Sequence, residues 1–204
     1  MTFDGKKGIG SYRARAGRFD TVTVPPLQFL MTTGQGDPNS SPNYAAALAT
    51  LYPVAYGLKF RSKKEYDRDV TVMPLEGLWW ADDLSVFTHS TDKSQWRWTM
   101  MIMVPDWITV DDLRTVETAL TAAGKITGTV PVTLDTLTEG LVVQTLHIGP
   151  YSDEGPVLRA MHEQILPERG FRPTGHHHEV YLGDPRRSAP ERLRTILRQP
   201  VEPL

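Results

Sequence analysis

The 204-residue chain contains no cysteine. Disulfides, thiolate nucleophiles and cysteine-ligated metals are therefore excluded, and a reducing, cytoplasmic setting is the expectation. An excess of one charge is also lacking: 22 Lys and Arg face 24 Asp and Glu, a net of −2. That balance gives no electrostatic case for nucleic acid or for an anionic membrane as partner. Long hydrophobic runs are missing too. The longest, such as 100–104, fall far short of the roughly 20 residues needed to span a bilayer. The first 20 residues are polar and rich in Gly, Lys and Arg, without the apolar core of a signal peptide. What is present is an ordinary globular composition, 40% hydrophobic and 23% charged, long enough for one large domain or two small ones. Five tryptophans need deliberate placement, because such large rings gain most from burial.

Element signals run along the chain. Residues 1–20 read as a polar lead-in. Val22, Val24, Leu27, Phe29 and Leu30 mark an extended segment broken at Pro25-Pro26, then a strand over about 27–33 and a loop over 34–39. Ser41-Pro42 opens a helix, serine as N-cap and proline at the first helical position. Tyr44, Leu48, Leu51, Ala55 and Leu58 recur at helical spacing, Pro53 should kink the run, and 61–68 reads as a charged loop. A strand from Val70 reaches Trp79-Trp80 and ends at Asp82-Asp83. Another covers 95–104, with Trp96 and Trp98 on one face. Thr109 and Asp112 have capping-box spacing ahead of a helix striped by Leu113, Val116 and Leu120, with Gly124 as its C′ residue. Segments 130–137 and 139–148 are strand-like and suit a hairpin. Ser152 or Asp153 caps a helix bearing Val157, Leu158, Met161 and Ile165, stopped by Pro167 and Gly170. A strand over 175–182 follows. Ser188 then caps a short C-terminal helix with Leu193, Ile196 and Leu197 inward, while Arg186, Arg187, Arg192, Arg194 and Arg198 form a solvated face.

This order repeats weakly. In each half a strand and a Gly/Pro-containing loop precede a helix, and the next strand carries a glutamate followed by aromatics: Glu76 before Trp79-Trp80, Glu179 before Tyr181. The expected fold is α+β: two strand–helix–strand–strand repeats forming a pseudo-twofold antiparallel-sheet domain with a central ligand cleft, Glu76 and Glu179 in related places. Period-2 alternation puts Val180 and Leu182 on one face of the last such strand, and His177, Glu179 and Tyr181 on the other. The consecutive His176, His177 and His178 alternate faces and cannot share one ion, so no metal is expected. Gly34-Gln35-Gly36 is too short for a phosphate loop, and no Gly-x-Ser-x-Gly turn marks a nucleophilic serine.

Three stretches carry a family resemblance: 139–154 (Glu-Gly-Leu-Val-Val-Gln-Thr-Leu-His147-Ile-Gly-Pro-Tyr151-Ser-Asp-Glu), 177–186 around Glu179, and 193–200. Together they resemble the GyrI-like small-molecule-binding family. Leu51-Tyr52-Pro53 through Phe60, and Pro74 through Trp80, are similar to its freestanding subgroup. The resemblance implies a domain over 21–204, repeat one about 22–104 and repeat two about 109–200, binding an aromatic or cationic small molecule without a cofactor. Glu179 matches the glutamate that meets ligand in relatives fused to DNA-binding modules. Freestanding relatives imply a hydrolase that adds water to cyclopropane-bearing genotoxins; the alternative is a binder that sequesters ligand unchanged, and a gyrase-inhibiting role is a third class. On the hydrolase reading Glu179 orients or deprotonates the water, and Tyr151 or Tyr181 stabilises the developing oxyanion. Trp79, Trp80, Trp98, Glu76, Tyr44, Tyr56, Met101, Met103 and His147 are the expected ligand contacts.

Overall fold

The computed structural model describes residues 2–81 and 93–204. In chain order its main elements are α1 (Gly5–Gly8), β1 (Asp20–Val24), β2 (Leu27–Gln35), α2 (Pro42–Tyr66), β3 (Leu75–Trp80), β4 (Arg97–Met103), α3 (Val110–Ala122), β5 (Thr133–Leu137), β6 (Gly140–Ile148), α4 (Gly155–Ala160), α5 (Leu166–Glu168), β7 (Phe171–Pro173), β8 (His177–Tyr181) and β9 (Arg194–Pro203). The fold is α+β, and every strand pair with a defined register is antiparallel. Two compact units divide the chain: Met1–Gly8, Leu27–Met73 and Trp79–Leu137 form unit one; Ile9–Pro26, Pro74–Leu78 and Thr138–Leu204 form unit two.

In unit one, β2 is flanked by β4 and β5. The strand signal at 27–33 holds and extends, because Gly34 and Gln35 pair with Trp98 and Arg97 rather than forming a loop. Glycine is required there: a Cβ on Gly34 would lie 2.2 Å from the Trp98 ring. Helix α2 starts as its cap signal indicates, the Ser41 hydroxyl accepting from the Tyr44 amide. It passes through Pro53 and continues to Tyr66, so most of the expected charged loop is helix. Arg, Lys and Glu are good helix formers, and the last turns are held by α3: Arg61 Nε donates to Asp112 Oδ1 at 2.6 Å, and the Tyr66 hydroxyl donates to the same carboxylate. Asp67, at φ 51°, ends the helix. The capping box of Thr109 and Asp112 forms as expected, and Gly124 follows α3 at φ 66°. Although burial opposes its charge, Arg61 and the Thr109 amide hold the Asp112 carboxyl down at about 2. The strand expected from Val70 begins only at Leu75; Val70 makes a single bridge to Phe3. The strand end assigned to Asp82-Asp83 lies outside the described residues.

In unit two the strand order is β1-β6-β9-β8 followed by the first half of β3, with β7 against the end of β9. Two expectations are corrected here. The C-terminal helix is strand β9, which pairs with β6 along Arg194–Pro200 and with β8 along Thr195–Arg198. Thr195 through Val201 are all buried. A strand covered on both faces shows no alternation, so Leu193, Ile196 and Leu197 mimicked a helical stripe. The hairpin of 130–137 with 139–148 does not form either. β5 pairs with β2, and β6 with β1 and β9; Thr138-Glu139 lacks the residues a tight hairpin turn needs. The next helix starts at Gly155, after a 3-10 turn over Tyr151–Asp153, and neither Ser152 nor Asp153 caps it. α4 and α5 are joined by a π-helical turn, Met161–Ile165. Met161 and Leu166 pack on Val143, Leu197 and Val201, covering one face of the sheet. The other face carries Gln144 and Arg198. It is covered by the lead-in, whose Ser11 and Tyr12 are buried.

Among the described residues no helix is long and apolar enough to cross a membrane.

Candidate functional site

β8 lies in unit two with its alternation intact, and its two faces have different chemistry. His178 and Val180 are fully buried, while His177, Glu179 and Tyr181 are half-buried.

On the His178 face, Nε2 stands 3.0 Å from Glu76 Oε2 and Nδ1 2.8 Å from Glu139 Oε1. Each carboxylate oxygen needs a proton from the ring, so the group is an imidazolium. Arg198 Nη1 lies 3.3 Å from Nδ1 but donates to Glu139 Oε2 at 2.7 Å. Its other nitrogens donate to Gln144 Oε1 at 3.0 Å and to the Ser11 carbonyl at 2.9 Å. The Tyr12 hydroxyl completes the network, donating to Glu76 Oε1 at 2.5 Å. Two cations thus meet two carboxylates out of solvent. Burial opposes the His178 charge, yet Glu139 and Glu76 raise it above its ordinary value. Burial likewise opposes the Glu139 charge, and His178 with Arg198 overcomes it, bringing the carboxyl to about 2. Burial first, then the Glu76 charge, holds the Tyr12 phenol well above its ordinary value, so it remains a donor. Arg198, expected on a solvated face, is 1% exposed. Nothing in its local pattern marks it, because the carboxylate that neutralises it, Glu139, is distant in sequence. The lead-in is equally integral: the Arg13 carbonyl accepts from Gln144 Nε2.

The opposite face of β8 is the one turned toward the α4–α5 run. The Tyr181 hydroxyl donates to Glu179 Oε2 at 2.7 Å, and His177 Nε2 lies 3.4 Å from Glu179 Oε1. Tyr151 packs edge-on against Tyr181, ring centroids 5.5 Å apart, and remains 38% exposed. The register His147–Thr195–Tyr181 brings His147 to this same face. Its Nε2 donates to the Pro150 carbonyl at 3.1 Å, which fixes the tautomer. From the π turn comes His162, whose imidazole is lowered to about 4 by burial and by nearby His177. π turns inside helices are frequent at functional sites. Both ring nitrogens of His177 and the hydroxyl of Thr195 are buried here without a hydrogen-bond partner among the described residues. Glu179 itself is only 14% exposed, so the polar face of β8 is not an ordinary solvated strand face.

The glutamates are not brought together. Glu76 shares the face of His178, and Glu179 occupies the other. In unit one, Tyr44 stacks on Trp79 and meets Trp98 edge-on, and Trp79 meets Trp96. Trp79 and Trp98 are buried in that core, while Trp80, one residue on, is half-buried on the opposite strand face. Met101 and Met103 are buried in β4, and Tyr56 stands 50% exposed on α2. Sequence reasoning set His177 on the face of Glu179 without counting it among the site residues, and it missed His162. The period of β8 carried the signal for His177; His162 required the path of the π turn. No group of three or more His, Asp or Glu among the described residues is arranged to hold a metal ion.

A model of the GyrI-like small molecule binding domain matches residues 19–202. The chain belongs to the GyrI-like family. Among solved structures, an uncharacterized conserved protein from Listeria innocua is 34% identical, with a TM-score of 0.85 over 97% of this chain and 98% of that one. Two Listeria innocua proteins described as hydrolases are also similar. One is 33% identical at a TM-score of 0.80, over 97% of this chain and 98% of its own. The other is 32% identical at a TM-score of 0.82, over 99% and 100%. No protein of curated function matches. The Glu179 face combines a carboxylate held by a tyrosine, a second, partly exposed tyrosine, and buried polar atoms with no hydrogen-bond partner among the described residues.

Proposed function

We propose that this protein is a hydrolase that adds water to strained, cyclopropane-bearing aromatic electrophiles, and so removes genotoxic alkylators. The observation that carries the reading is Glu179, held through Oε2 by Tyr181 with its Oε1 turned to His177, in a setting only slightly exposed. The similarity to the two Listeria hydrolases supports it. In the reaction, the water oxygen bonds to a cyclopropane carbon while the ring C–C bond breaks. Its electron pair runs into the conjugated carbonyl, which becomes a phenolate. Glu179 takes the water proton. Because the Tyr181 proton is engaged on Glu179, Tyr181 holds the base, and Tyr151 is the hydroxyl assigned to the developing oxyanion. No cofactor enters, and nucleic acid is not a partner on this reading.

A second reading, capture without turnover, is favoured by the small-molecule-binding character of the family. Incubation with a spirocyclopropyl cyclohexadienone separates the two. Hydroxyethyl-phenol product in molar excess over protein establishes the enzyme, and Glu179→Gln should lower the rate at least ~100-fold, the low end for a placed general base. Recovery of unchanged dienone, protected only one-for-one, establishes the binder. Full turnover by Glu179→Gln overturns the role given to Glu179.

A further inference from the structure

We infer that His177 is a positioning residue that acts through Glu179: its Nε2–H orients Oε1 toward the attacking water. The inference rests on the hydrolase reading above. Its geometric basis is on β8. Residues 177 and 179 project from the same face, and His177 Nε2 lies 3.4 Å from Glu179 Oε1, beyond a good hydrogen bond. Neither ring nitrogen has a hydrogen-bond partner among the described residues. Burying a polar atom unpaired costs about 1–3 kcal/mol, so an imidazole bearing two such nitrogens beside a carboxylate calls for an explanation. Catalytic hydrogen bonds are often long in the absence of ligand and tighten when it binds. A contact at 3.4 Å with no competing partner has that form.

The groups that face His177 come from four elements. From its own strand it faces Glu179. From the π turn it faces His162, which burial and His177 keep down at about 4, so His162 adds no opposing positive charge near neutrality. From β9 come Leu197 and Gln199, and β3 turns Leu75 and Gly77 to this side; none of these titrates. The balance closes as one added water. The C–O bond forms and the ring C–C bond breaks. The water proton goes to the Glu179 carboxylate. The phenolate gains a proton from solvent, and Glu179 returns one.

The test has two arms on the full-length protein. In the kinetic arm the substrate is the spirocyclopropyl dienone. His177→Ala should lower kcat about 100-fold with KM changed less than about twofold. His177→Gln, whose amide can also donate to Oε1, should keep more of kcat than His177→Ala. A His177→Ala protein that keeps its circular dichroism spectrum and KM but has wild-type kcat, or a His177→Gln protein no faster than His177→Ala, overturns the inference. The second arm needs no turnover. Long-range 15N–1H spectra report which nitrogen of His177 is protonated. The Nε2–H form should dominate in the wild type and lose that dominance in Glu179→Leu; the same tautomer balance in both overturns the inference. If the wild type forms no product while the spectra respond to Glu179→Leu, the hydrolase reading has failed and the His177–Glu179 coupling stands.

Discussion

Arg198 gives the sharpest test of how unit two is built. Its guanidinium is buried and donates to Glu139, Gln144 and the Ser11 carbonyl. Arg198→Met keeps most of the stem volume and removes all of those bonds. Glu139 is then left with His178 alone, and Gln144 Oε1 and the Ser11 carbonyl lose a donor. Breaking a buried ion pair by deleting one partner costs about 3–5 kcal/mol, against a total stability of roughly 5–15 kcal/mol. At about 2–4 °C per kcal/mol for a chain of this size, the melting temperature should fall by ~6–20 °C. Arg198→Lys should lie between, because an ammonium keeps the charge but cannot span three acceptors. The two partners are coupled, so Arg198→Met should cost less in a Glu139→Gln background than in the wild type. Thermal melts by circular dichroism, with urea midpoints at 25 °C, measure the wild type and all four variants. A single Arg198→Met variant melting within about 2 °C of wild type, or strict additivity in the cycle, would refute the account of this network.

Three further outcomes follow from the same geometry. Gly34→Ala places a methyl 2.2 Å from the Trp98 ring; displacing a buried indole should cost about 1–3 kcal/mol, read as a lower urea midpoint. Tyr12→Phe removes the donor to Glu76 Oε1 and should cost about 1.5–3 kcal/mol, the range for a hydrogen bond to a charged group, again by urea titration. Stability should fall on both sides of a mildly acidic optimum. His178 is raised above 6.5, so its contribution is full below that value and is lost as pH rises through its folded value. His162, lowered to about 4, favours unfolding as pH falls from 6.5 toward 4. Asp112 and Glu139, ordinarily 3.8 and 4.5 but both about 2 when folded, contribute fully above those ordinary values and lose that contribution as pH falls toward 2. Urea midpoints across pH 3–9 check this, and His178→Gln should flatten the alkaline limb.

What the sequence revealed and what it hid divide along physical lines. Local signals survived folding: the Ser41-Pro42 start of α2, the capping box of Thr109 with Asp112, and the alternation of β8 all depend on neighbours within a few residues. Signals that failed were those decided by distant partners. β9 is buried on both faces, so its helix-like stripe could be corrected only by knowing that β6 and β8 flank it. Residues 61–66 stay helical because Asp112 receives Arg61 and Tyr66. Arg198 reads as a surface arginine until Glu139, 59 positions earlier, is brought beside it. The shared face of His177, Glu179 and Tyr181 was legible from the period of the strand, whereas the divergence of Glu76 to the other face was not.

That divergence explains how one short strand can serve two ends. In β8, His178 faces a network in which charges are matched and its hydrogen bonds are made, while His177 and Glu179, one position away, project from the other face, where the ring nitrogens of His177 and the Thr195 hydroxyl have no hydrogen-bond partner among the described residues. A matched network is rigid, because any displacement of His178 breaks bonds to two carboxylates at once. It therefore fixes the height and pitch of the backbone from which Glu179 and Tyr181 project. Reactive geometry tolerates little error, and a base misplaced by about 1 Å can lose about 100-fold in rate. On the proposed hydrolase reading, the buried face supplies that precision. The consequence is directional: substitutions at Glu179 should impair chemistry with little loss of stability, whereas substitutions at His178 or Arg198 should impair both, with the loss of activity following the loss of fold.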